Sequence, residues 1–511
     1  MRSPADKNLL KIFVAISTFL LTLLLTFCSV PSPKDSLTVT ILHTNDHHGH
    51  TLPHEHQGRF VGGLAERIAL IKRLKREARS TSDMCLLVDA GDISSGTLFS
   101  DFFTNEPDWK VYAQFYDAIV PGNHDFDFPF DRVFSMIKTF QAPVLSANLY
   151  DRGSGELFFP PYKIFRQDSW SLALIGISHP DTPLISTLGY DERLEFRAAV
   201  EATKQYVQEL RKKHDLIVVL SHLGEDDRLA KKVDGIDLII GGHIHTPLEK
   251  PLKVNNTLII KAGYAGQYVG HMELSLQRRT RGIRIKMISY KLIPVSTDIA
   301  PDEKVLSMLQ PFLDSYGDRG RVIVGEAGEA FNRNPLADPM SSSNLANLVT
   351  DAYRFVTGAD LAFVNKGGLR ADLDKGPVTV EELHAVLPFH NTLIVFEIKG
   401  EQVIEIIQRM ASGLPSKGGI LFPSNLDITI RKSGLKVVLT GDGGSIEPEL
   451  IYTVAVGSFI ARGGDGHLRF PAFKQKTDTK IRTSDALRMY FEAKGTLFPD
   501  NKPRLKRGFS D

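Results

Sequence analysis

The sequence predicts an α/β fold built from two successive α/β regions. Short apolar runs rich in β-branched residues alternate with amphipathic, helix-like stretches from about residue 37 to residue 293, and a second alternation follows over 321–495. This alternation is typical of sheets that are covered by helices. Polar residues of metal-binding type directly follow five of the apolar runs in the first region. Because ligands of open α/β sheets bind at the carboxyl ends of strands, this region is predicted to carry a functional site.

Length and charge narrow the classes of function. The chain has 511 residues, which is enough for about three domains at roughly 150 residues each. Its 61 basic and 60 acidic residues give a net charge of +1, and 42% of all residues are hydrophobic. A balanced charge provides no general attraction to a nucleic-acid polymer or to an acidic membrane surface. A small-molecule partner, bound by a local cluster of side chains, is therefore favoured.

Residues 1–28 have the pattern of a targeting segment. Three basic residues precede an uncharged, leucine-rich run over 12–27, which is short for a membrane span and suits the apolar core of a signal peptide. Cys28 follows in the sequence LTFC, which resembles the lipobox of bacterial lipoproteins, although Phe27 stands where a small residue is usual. The segment predicts an extracytoplasmic protein of the periplasm or cell envelope. Lipid anchorage at Cys28 is favoured over simple secretion or an uncleaved anchor, and no other membrane contact is expected.

The first region is predicted to alternate strands and helices. Apolar spacing along one helix face occurs between the strands, as at 64–78 and 198–213. The apolar, β-rich runs are 37–43, 84–90, 118–121, 171–177, 215–221 and 237–241.

A linker helix is predicted at 299–320, between the two regions. Asp302 is a suitable N-cap, and Gly317 and Gly320 follow the last apolar position as helix-ending residues. Apolar residues at spacings of three and four form one face of this helix: Val305, Met308, Leu309 and Phe312. The chain is accordingly divided into a signal segment (1–28), a first domain (37–298), the linker helix (299–320) and a second domain (321–495).

Five polar segments follow strands of the first region. One such segment alone is more often a turn or a helix cap than a ligand, but five in one region and in this order are difficult to obtain by chance. Carboxylate, amide and imidazole groups together suit zinc, manganese, iron or cobalt. The segments are 45–48 (NDHH), 91–92 (GD), 122–125 (GNHD), 221–222 (SH) and 242–245 (GHIH).

The stretch ILHTNDHHGH at 41–50 places four histidines around one aspartate. If its backbone is extended, residues i and i+2 project from one face and residue i+1 from the other. This predicts that Asp46 and His48 act together while His47 points away from them. The same rule groups His243 with His245.

In this order, the five segments resemble the binuclear metallophosphoesterase family over about 37–293. The resemblance implies a calcineurin-like β-sandwich flanked by helices and two divalent metal ions that clamp a phosphate ester. It implies a bridging role for Asp92, whose carboxylate would hold both ions. The implied ligands are Asp46, His48, Asp92 and His245 for one ion, and Asp92, Asn123, His222 and His243 for the other.

The same resemblance implies a catalytic role for His124, which follows the ligand Asn123. In the family this histidine acts on the substrate phosphate, either by stabilising charge or by donating a proton. Asp127 matches the acidic partner that orients the imidazole, which is the usual arrangement for a general acid or base.

Three glycine- or proline-rich turns in the second region carry residues suited to a nucleotide. Arginine binds phosphate oxygens, and aromatic rings stack on nucleobases. The turns are 365–370 (NKGGLR), 387–391 (LPFHN) and 458–466 (SFIARGGDG). Together they resemble the C-terminal α/β domain of the 5′-nucleotidase family over 321–495.

That resemblance implies a complete set of substrate contacts. Asn365 and Arg370 would contact the substrate, Phe389 and Phe459 would stack on the base, and Asp465 would bind the ribose. Asn391 would touch the base edge. The implied substrate-binding residues are Asn365, Gly367, Gly368, Arg370, Phe389, Asn391, Phe459 and Asp465.

One departure from the family concerns phosphate binding. The family usually has a further phosphate-binding arginine shortly before an Asn-Leu-Gly-Asn-Leu helix start. The corresponding segment here, 338–348 (DPMSSSNLANL), has no arginine and has Ala346 in place of the glycine. Arg333 is the nearest basic residue. Either Arg333 fills the role or phosphate binding is weaker, which weakens the expectation of a strict preference for nucleoside monophosphates.

The predicted function is that of an extracytoplasmic 5′-nucleotidase, a hydrolase of nucleotide phosphate esters in which a metal-activated water or hydroxide attacks phosphorus. Three alternatives keep the family and change the substrate: a 2′,3′-cyclic nucleotide phosphodiesterase, a UDP-sugar hydrolase, or a relative that acts on sulfur compounds. A further alternative is a surface lipoprotein with a binding role. The presence of every implied metal ligand argues against a degenerate site.

Overall fold

The computed structural model describes residues 35–507, except for 57, 187–192, 281, 335–339, 412–418, 432–433, 441–442 and 468. The predicted signal segment, with Cys28, lies outside the described residues. Among the residues that are described, no helix combines the length and the apolar character needed to cross a membrane.

Two sheets face each other in the first half of the chain. The first has five strands, in the order Gly282–Pro294, Tyr268–Arg279, Ser36–Thr44, Met84–Asp89 and Ala118–Ile119. The second has six, in the order Leu252–Val254, Thr257–Ile260, Leu238–Gly241, Leu216–Ser221, Trp170–Ile177 and Tyr162–Gln167. Two small two-stranded sheets accompany them, formed by Pro53–His56 with Arg59–Gly62 and by Leu149–Asp151 with Leu194–Phe196.

Alternation along the strands creates the sandwich. Ile41 points inward and belongs to the same buried cluster as Leu174 and Val218 of the opposite sheet. The next residue, Leu42, points outward into a cluster with Ile68 of a covering helix. Because successive side chains of a strand face opposite sides, each strand contributes to both layers of core. The predicted β-sandwich flanked by helices is confirmed.

Helices cover both outer faces of the sandwich. The helices of this half are Leu64–Ala78, Leu98–Phe102, Glu106–Phe115, Phe130–Phe140, Thr182–Ile185, Ala199–Leu210 and Asp226–Lys232, with a 3₁₀ turn at His124–Phe126.

A capped helix, Glu303–Tyr316, follows the sandwich. The side chain of Asp302 accepts a hydrogen bond from the backbone N–H of Val305, as expected of an N-cap. Lys72 Nζ lies 2.5 Å from the same carboxylate, which ties the start of this helix to Leu64–Ala78. The helix ends at Gly317, which has a φ of +56°.

The second half is a separate α/β unit with its own core. Its main sheet has the order Leu421–Ser424, Leu361–Asn365, Ile451–Gly457, Thr392–Lys399 and Lys474–Arg482. Two three-stranded sheets have the orders Gly376–Thr379, Ile323–Ala327, Thr496–Leu497 and Gly434–Leu439, Leu426–Arg431, Leu505–Arg507. The helices are Asn344–Thr357, Val380–Val386, Gly400–Ala411, Ser458–Ala461 and Thr483–Lys494, and the 3₁₀ turns are Arg319–Arg321, Lys366–Gly368, Gly464–Gly466 and Phe470–Ala472.

The second half extends past the predicted boundary at residue 495. Thr496–Leu497 pairs with Ile323–Ala327, and Leu505–Arg507 pairs with Leu426–Arg431. Arg504 binds Asp351 through both guanidinium nitrogens, at 2.6 and 2.7 Å. The polar composition of this tail gave no strand signal, because its stability comes from backbone pairing and an ion pair.

Candidate active site

The ends of six neighbouring strands converge at one edge of the sandwich. Ser36–Thr44 runs parallel to Met84–Asp89 and Ala118–Ile119, and Trp170–Ile177 runs parallel to Leu216–Ser221 and Leu238–Gly241. Their carboxyl ends therefore meet, and the turns that follow carry the candidate ligands. The seven predicted ligands that these turns bring together are Asp46, His48, Asp92, Asn123, His222, His243 and His245.

The first candidate metal group consists of Asp46, His48 and His245. His48 Nδ1 lies 2.9 Å from the backbone oxygen of Ser95, to which it donates its proton. The unprotonated Nε2 therefore faces Nε2 of His245 at 3.0 Å. A backbone carbonyl that fixes the tautomer of a ligating histidine is usual in metal sites. Asp46 Oδ1 lies 3.9 Å from His48 Nε2 and 3.7 Å from His245 Nε2, so these three side chains would hold one cation.

The second group consists of Asp92, His222 and His243. His222 donates from Nδ1 to the backbone oxygen of Ala90 at 2.6 Å, and its Nε2 lies 3.0 Å from Asp92 Oδ2. His243 Nδ1 lies 3.0 Å from Asn123 Oδ1.

Asp92 lies between the two groups. Its Oδ2 is 3.0 Å from His222 of the second group and 3.7 Å from His48 of the first. This position suits the predicted bridging carboxylate, which has to reach both ions.

Burial and charge make the two groups suitable for metal ions. Burial raises the pKa of Asp46 to about 7 and lowers the pKa of His243 to about 2 and of His245 to about 3. Burial also opposes ionisation of Asp92, but the imidazoles of His222 and His124 outweigh it and lower its pKa well below the usual value. The carboxylate of Asp92 outweighs burial and raises the pKa of His222 to about 10, so a bound cation would displace the proton of this imidazole. Carboxylates beside imidazoles are a good donor set for divalent cations. A binuclear metal centre fits these residues.

Strained backbone positions the ligands. Asp46, His48, Asp92 and His243 have φ values of 51°, 50°, 55° and 70°. Non-glycine residues rarely adopt this left-handed conformation, which costs of order 1–3 kcal/mol each and clusters at functional sites.

The extended backbone that was predicted for Asp46 and His48 is therefore wrong. The strand ends at Thr44, and Asp46 and His48 converge through two left-handed residues. Backbone hydrogen bonds to the next strand end hold this turn, from Asp46 N to Gly91 O at 2.8 Å and from His48 N to Asp92 O at 2.9 Å. His47 does point away, and its Nε2 lies 2.9 Å from Asp108 Oδ1.

Asp125 supports the site without having been predicted. Its carboxylate accepts hydrogen bonds from the backbone N–H groups of Asp92 at 3.1 Å, Gly122 at 2.8 Å and Ser94 at 3.0 Å. It thus joins the turn that carries Asp92 to the turn that carries Asn123. The sequence signal was available, since Asp125 is the fourth residue of the GNHD segment.

His124 and Asp127 form the predicted pair. His124 Nδ1 lies 2.7 Å from Asp127 Oδ2, and the backbone N–H of His124 donates to Asp92 Oδ1 at 2.8 Å. Burial alone would lower the pKa of His124, but the carboxylates of Asp127 and Asp92 outweigh burial and raise it. Because Nδ1 is engaged by Asp127, Nε2 is the atom available to a substrate.

One pocket of the second half gathers five of the eight predicted substrate residues. Asn365 donates from Nδ2 to Asp465 Oδ2 at 2.9 Å, which brings Asp465 to the rim of the same pocket. Gly367 belongs to the adjoining turn Lys366–Gly368. The five residues that line the pocket are Asn365, Gly368, Phe389, Asn391 and Phe459.

Asn391 has a role beyond the predicted contact with the base. Its Oδ1 accepts hydrogen bonds from the backbone N–H of Phe459 at 2.9 Å and from Ser458 Oγ at 3.1 Å. The ring of Phe459 packs so closely on Gly464 that a Cβ there would lie 2.6 Å from it. The oxygen of Asn391 thus helps to fix the Phe459 ring.

The two halves meet at Phe389. Its ring stacks on the ring of His124, with centroids 5.2 Å apart and an interplanar angle of 11°. The guanidinium of Arg370 lies 5.5 Å from the centre of the same Phe389 ring. Burial and the neighbouring Arg333 lower the pKa of Arg370, while the carboxylates of Asp92 and Asp46 partly offset this effect. The phosphate-type and nucleoside-type residues therefore form one continuous site.

Comparisons with known proteins agree with both halves. Residues 39–247 match the family described as calcineurin-like phosphoesterase, and residues 323–475 match the family described as 5′-nucleotidase, C-terminal domain. Protein UshA of Yersinia enterocolitica is 29% identical over 511 residues, which covers 90% of this chain and 92% of that protein. A 5′-nucleotidase of Vibrio cholerae is 28% identical and covers 90% and 91%. The crystal structure of a 5′-nucleotidase precursor from Thermus thermophilus superposes with a TM-score of 0.81 at 28% identity, over 93% of this chain and 100% of that one.

Proposed function

We propose that this chain hydrolyses the phosphate ester of nucleoside 5′-monophosphates. The chain belongs to the 5′-nucleotidase family, and it joins a metallophosphoesterase domain to a 5′-nucleotidase C-terminal domain. One observation carries the proposal: Phe389 of the nucleoside-type pocket stacks directly on His124, beside both candidate metal groups. The nucleoside-type residues of the second half therefore adjoin the candidate metal groups of the first half.

Residues of both halves act on the phosphate. Two divalent ions held by the seven predicted ligands would supply the Lewis acidity that phosphate-ester hydrolysis uses. His124 Nε2 donates a proton to the departing ester oxygen or stabilises charge on the phosphate, and Asp127 holds the imidazole in that orientation. Arg370 offers a guanidinium to a phosphate oxygen.

The second half, from residue 321 onward, binds the nucleoside. Residues 37–298 supply the metal centre, and residues 299–320 connect the two halves. Phe389 and Phe459 stack on the base, which in nucleic-acid binders is worth roughly 1–3 kcal/mol per base. Asp465 accepts hydrogen bonds from ribose hydroxyls.

Arg333 is the candidate for the missing phosphate-binding arginine. Its Nη1 donates to the backbone oxygen of Arg370, and its charge lowers the pKa of Arg370. Its side chain is 39% exposed, so it has room to turn toward a substrate. Substitution by alanine should raise KM for the nucleotide more than it lowers kcat.

The protein acts outside the cytoplasm in this proposal, and residues 1–28 support it through their signal-peptide pattern. Lipid attachment at Cys28 follows from the lipobox resemblance. Metabolic labelling with a fatty acid tests it, since label should be incorporated into the native chain and lost from Cys28→Ser.

A substrate panel with the purified protein tests the activity. AMP should release phosphate in the presence of added zinc, manganese or cobalt, and chelation should abolish the release. Asp92→Ala should be inactive, whereas Asp131→Ala should retain full turnover, because its carboxylate is 81% exposed and, among the described residues, forms an ion pair with Arg193 at the surface. If the protein hydrolysed none of the nucleoside phosphates in the panel, the proposal would be contradicted.

A groove beside the second metal group favours a second candidate, hydrolysis of a nucleotide diester such as a UDP-sugar. The groove opens at His243 and is lined by His179, Leu223, Arg228 and Ile244, among others. It offers space for a second substituent on phosphorus. Faster turnover of a UDP-sugar or a 2′,3′-cyclic nucleotide than of AMP in the same panel would favour this candidate.

A further inference from the structure

The short helix Leu98–Phe102 is attached to the metal-binding turn. Thr97, its N-cap, donates from Oγ1 to the backbone oxygen of Gly49 at 2.6 Å. Ser100 lies so close that a Cβ at Gly49 would stand 2.6 Å from the Ser100 Cβ. Because Gly49 directly follows the candidate ligand His48, the position of this helix is fixed relative to the metal site.

The opposite side of the same helix binds the second half of the chain. Asp101 Oδ2 accepts a hydrogen bond from His384 Nε2 at 2.9 Å and lies 3.4 Å from His390 Nε2. The side chains of Asp101, His384 and His390 are 2%, 8% and 13% exposed. Burial would raise the pKa of Asp101, but the two histidines outweigh it and lower the pKa, so the carboxylate is held in its charged form.

His390 is the residue after Phe389, so this contact acts next to the nucleoside pocket. The ring of His390 also packs against Phe128, with centroids 4.7 Å apart. The turn 387–391 is therefore held by Asp101 on one side and stacks on His124 through Phe389 on the other.

We propose that Asp101 is a positioning residue: through His384 and His390 it sets the turn 387–391 over His124, so that a base bound at Phe389 and a phosphate bound at the metal site are in register. This inference rests on the proposed function. Asp101 contacts neither the metal groups nor the nucleoside-type pocket, so its effect should depend on whether the substrate has a nucleoside to be placed.

Comparison of two phosphate esters tests this role. AMP needs both halves of the site, whereas p-nitrophenyl phosphate needs only the metal site. In Asp101→Ala, kcat/KM for AMP should fall about tenfold or more, mainly through KM, because the buried carboxylate that accepts a hydrogen bond from His384 and lies beside His390 is removed. The value for p-nitrophenyl phosphate should stay within about twofold, which also shows that the variant is folded and metal-loaded.

Substitutions at His384 test the hydrogen bond itself. His384→Ala removes the donor and should repeat the selective loss with AMP. His384→Gln keeps an N–H donor near the position of Nε2 and should restore most of the AMP turnover. Asp131→Ala serves as the matched carboxylate control and should be unchanged with both esters.

The outcomes separate the two proposals. Equal losses with both esters in Asp101→Ala, or no loss with AMP, would overturn the positioning role while leaving the nucleotidase activity of the native chain in place. A His384→Gln variant as poor as His384→Ala would also overturn it. Absence of metal-dependent turnover of both esters by the native chain would overturn the proposed function and this inference with it.

Discussion

At the scale of single residues, backbone conformation distinguishes the histidines of the 41–50 stretch. His48 has a φ of 50° and turns its ring toward His245, whereas His47 turns its ring to Asp108. Parity along an ideal strand gave the same pairing of Asp46 with His48, but for a reason that the structure contradicts. The sequence reveals the ligand-type residues, while left-handed turns of non-glycine residues are not visible in it.

His48→Ala should therefore be far more damaging to the metal site than His47→Ala. Loss of His48 removes a ligand, so metal content should fall and turnover should be abolished. Loss of His47 removes one partner of the buried Asp108, whose carboxylate keeps hydrogen bonds from Thr51 and Ser100, so stability should fall by about 1–3 kcal/mol while both ions remain. Metal analysis and thermal unfolding of both variants measure this, and equal loss of metal would contradict the assignment.

Asp125 should act on metal affinity without touching metal. Asp125→Ala frees the backbone N–H groups of Asp92 and Gly122, so the bridging carboxylate loses its support. Loss of such an indirect partner typically weakens metal binding about 10–100-fold. Metal titration into the chelated protein checks this, with Asp131→Ala as the exposed-carboxylate control. Native affinity in Asp125→Ala would show that the turn is held by other contacts.

At the scale of elements, the turn after Ala118–Ile119 is packed against the carboxylate of Asp92. A Cβ at Gly122 would stand 2.2 Å from Asp92 Oδ1 and 2.5 Å from Asp92 N. Gly122→Ala should therefore displace Asp92, lower metal content and strongly reduce turnover with every phosphate ester. Gly153→Ala is the matched control, since its nearest neighbour would be Asp151 Oδ1 at 3.3 Å. Near-normal turnover of Gly122→Ala would show that the two turns separate easily.

The predictability of an element depended on where its stability comes from. Ser36–Thr44 and Leu216–Ser221 are buried on both faces, so their apolar runs predicted them well. Lys474–Arg482, with the sequence KQKTDTKIR, is an edge strand. Its many charged residues leave no apolar pattern from which a strand could be predicted. Thr496–Leu497 and Leu505–Arg507 are also edge strands, and both are very short, which explains why the boundary was predicted at 495.

At the scale of the whole molecule, the active site is assembled from residues that are remote in sequence. His384 and Asp101 are 283 residues apart and meet at 2.9 Å. Motifs predicted the ligand-type residues of each half, because each motif lies within one short segment of the chain. The contacts between halves could not be predicted, since no periodicity or motif links Asp101 to His384. His384 and His390 thus gave no sequence signal of their contact with Asp101.

Removal of the metals should destabilise the folded chain as well as abolish turnover. Without cations, the carboxylates of Asp46 and Asp92 are left buried close to each other, which is costly. Because a ligand that binds only the folded state stabilises it by about 2.7 kcal/mol at a hundredfold excess over Kd, the unfolding midpoint should fall on chelation and rise again with added metal. Thermal unfolding at several metal concentrations measures the effect. Asp131→Ala should respond like the native chain, and Asp92→Ala, which lacks the bridging carboxylate, should not respond. If the unfolding midpoint of the native chain did not change with metal concentration, a binuclear centre at these residues would be contradicted.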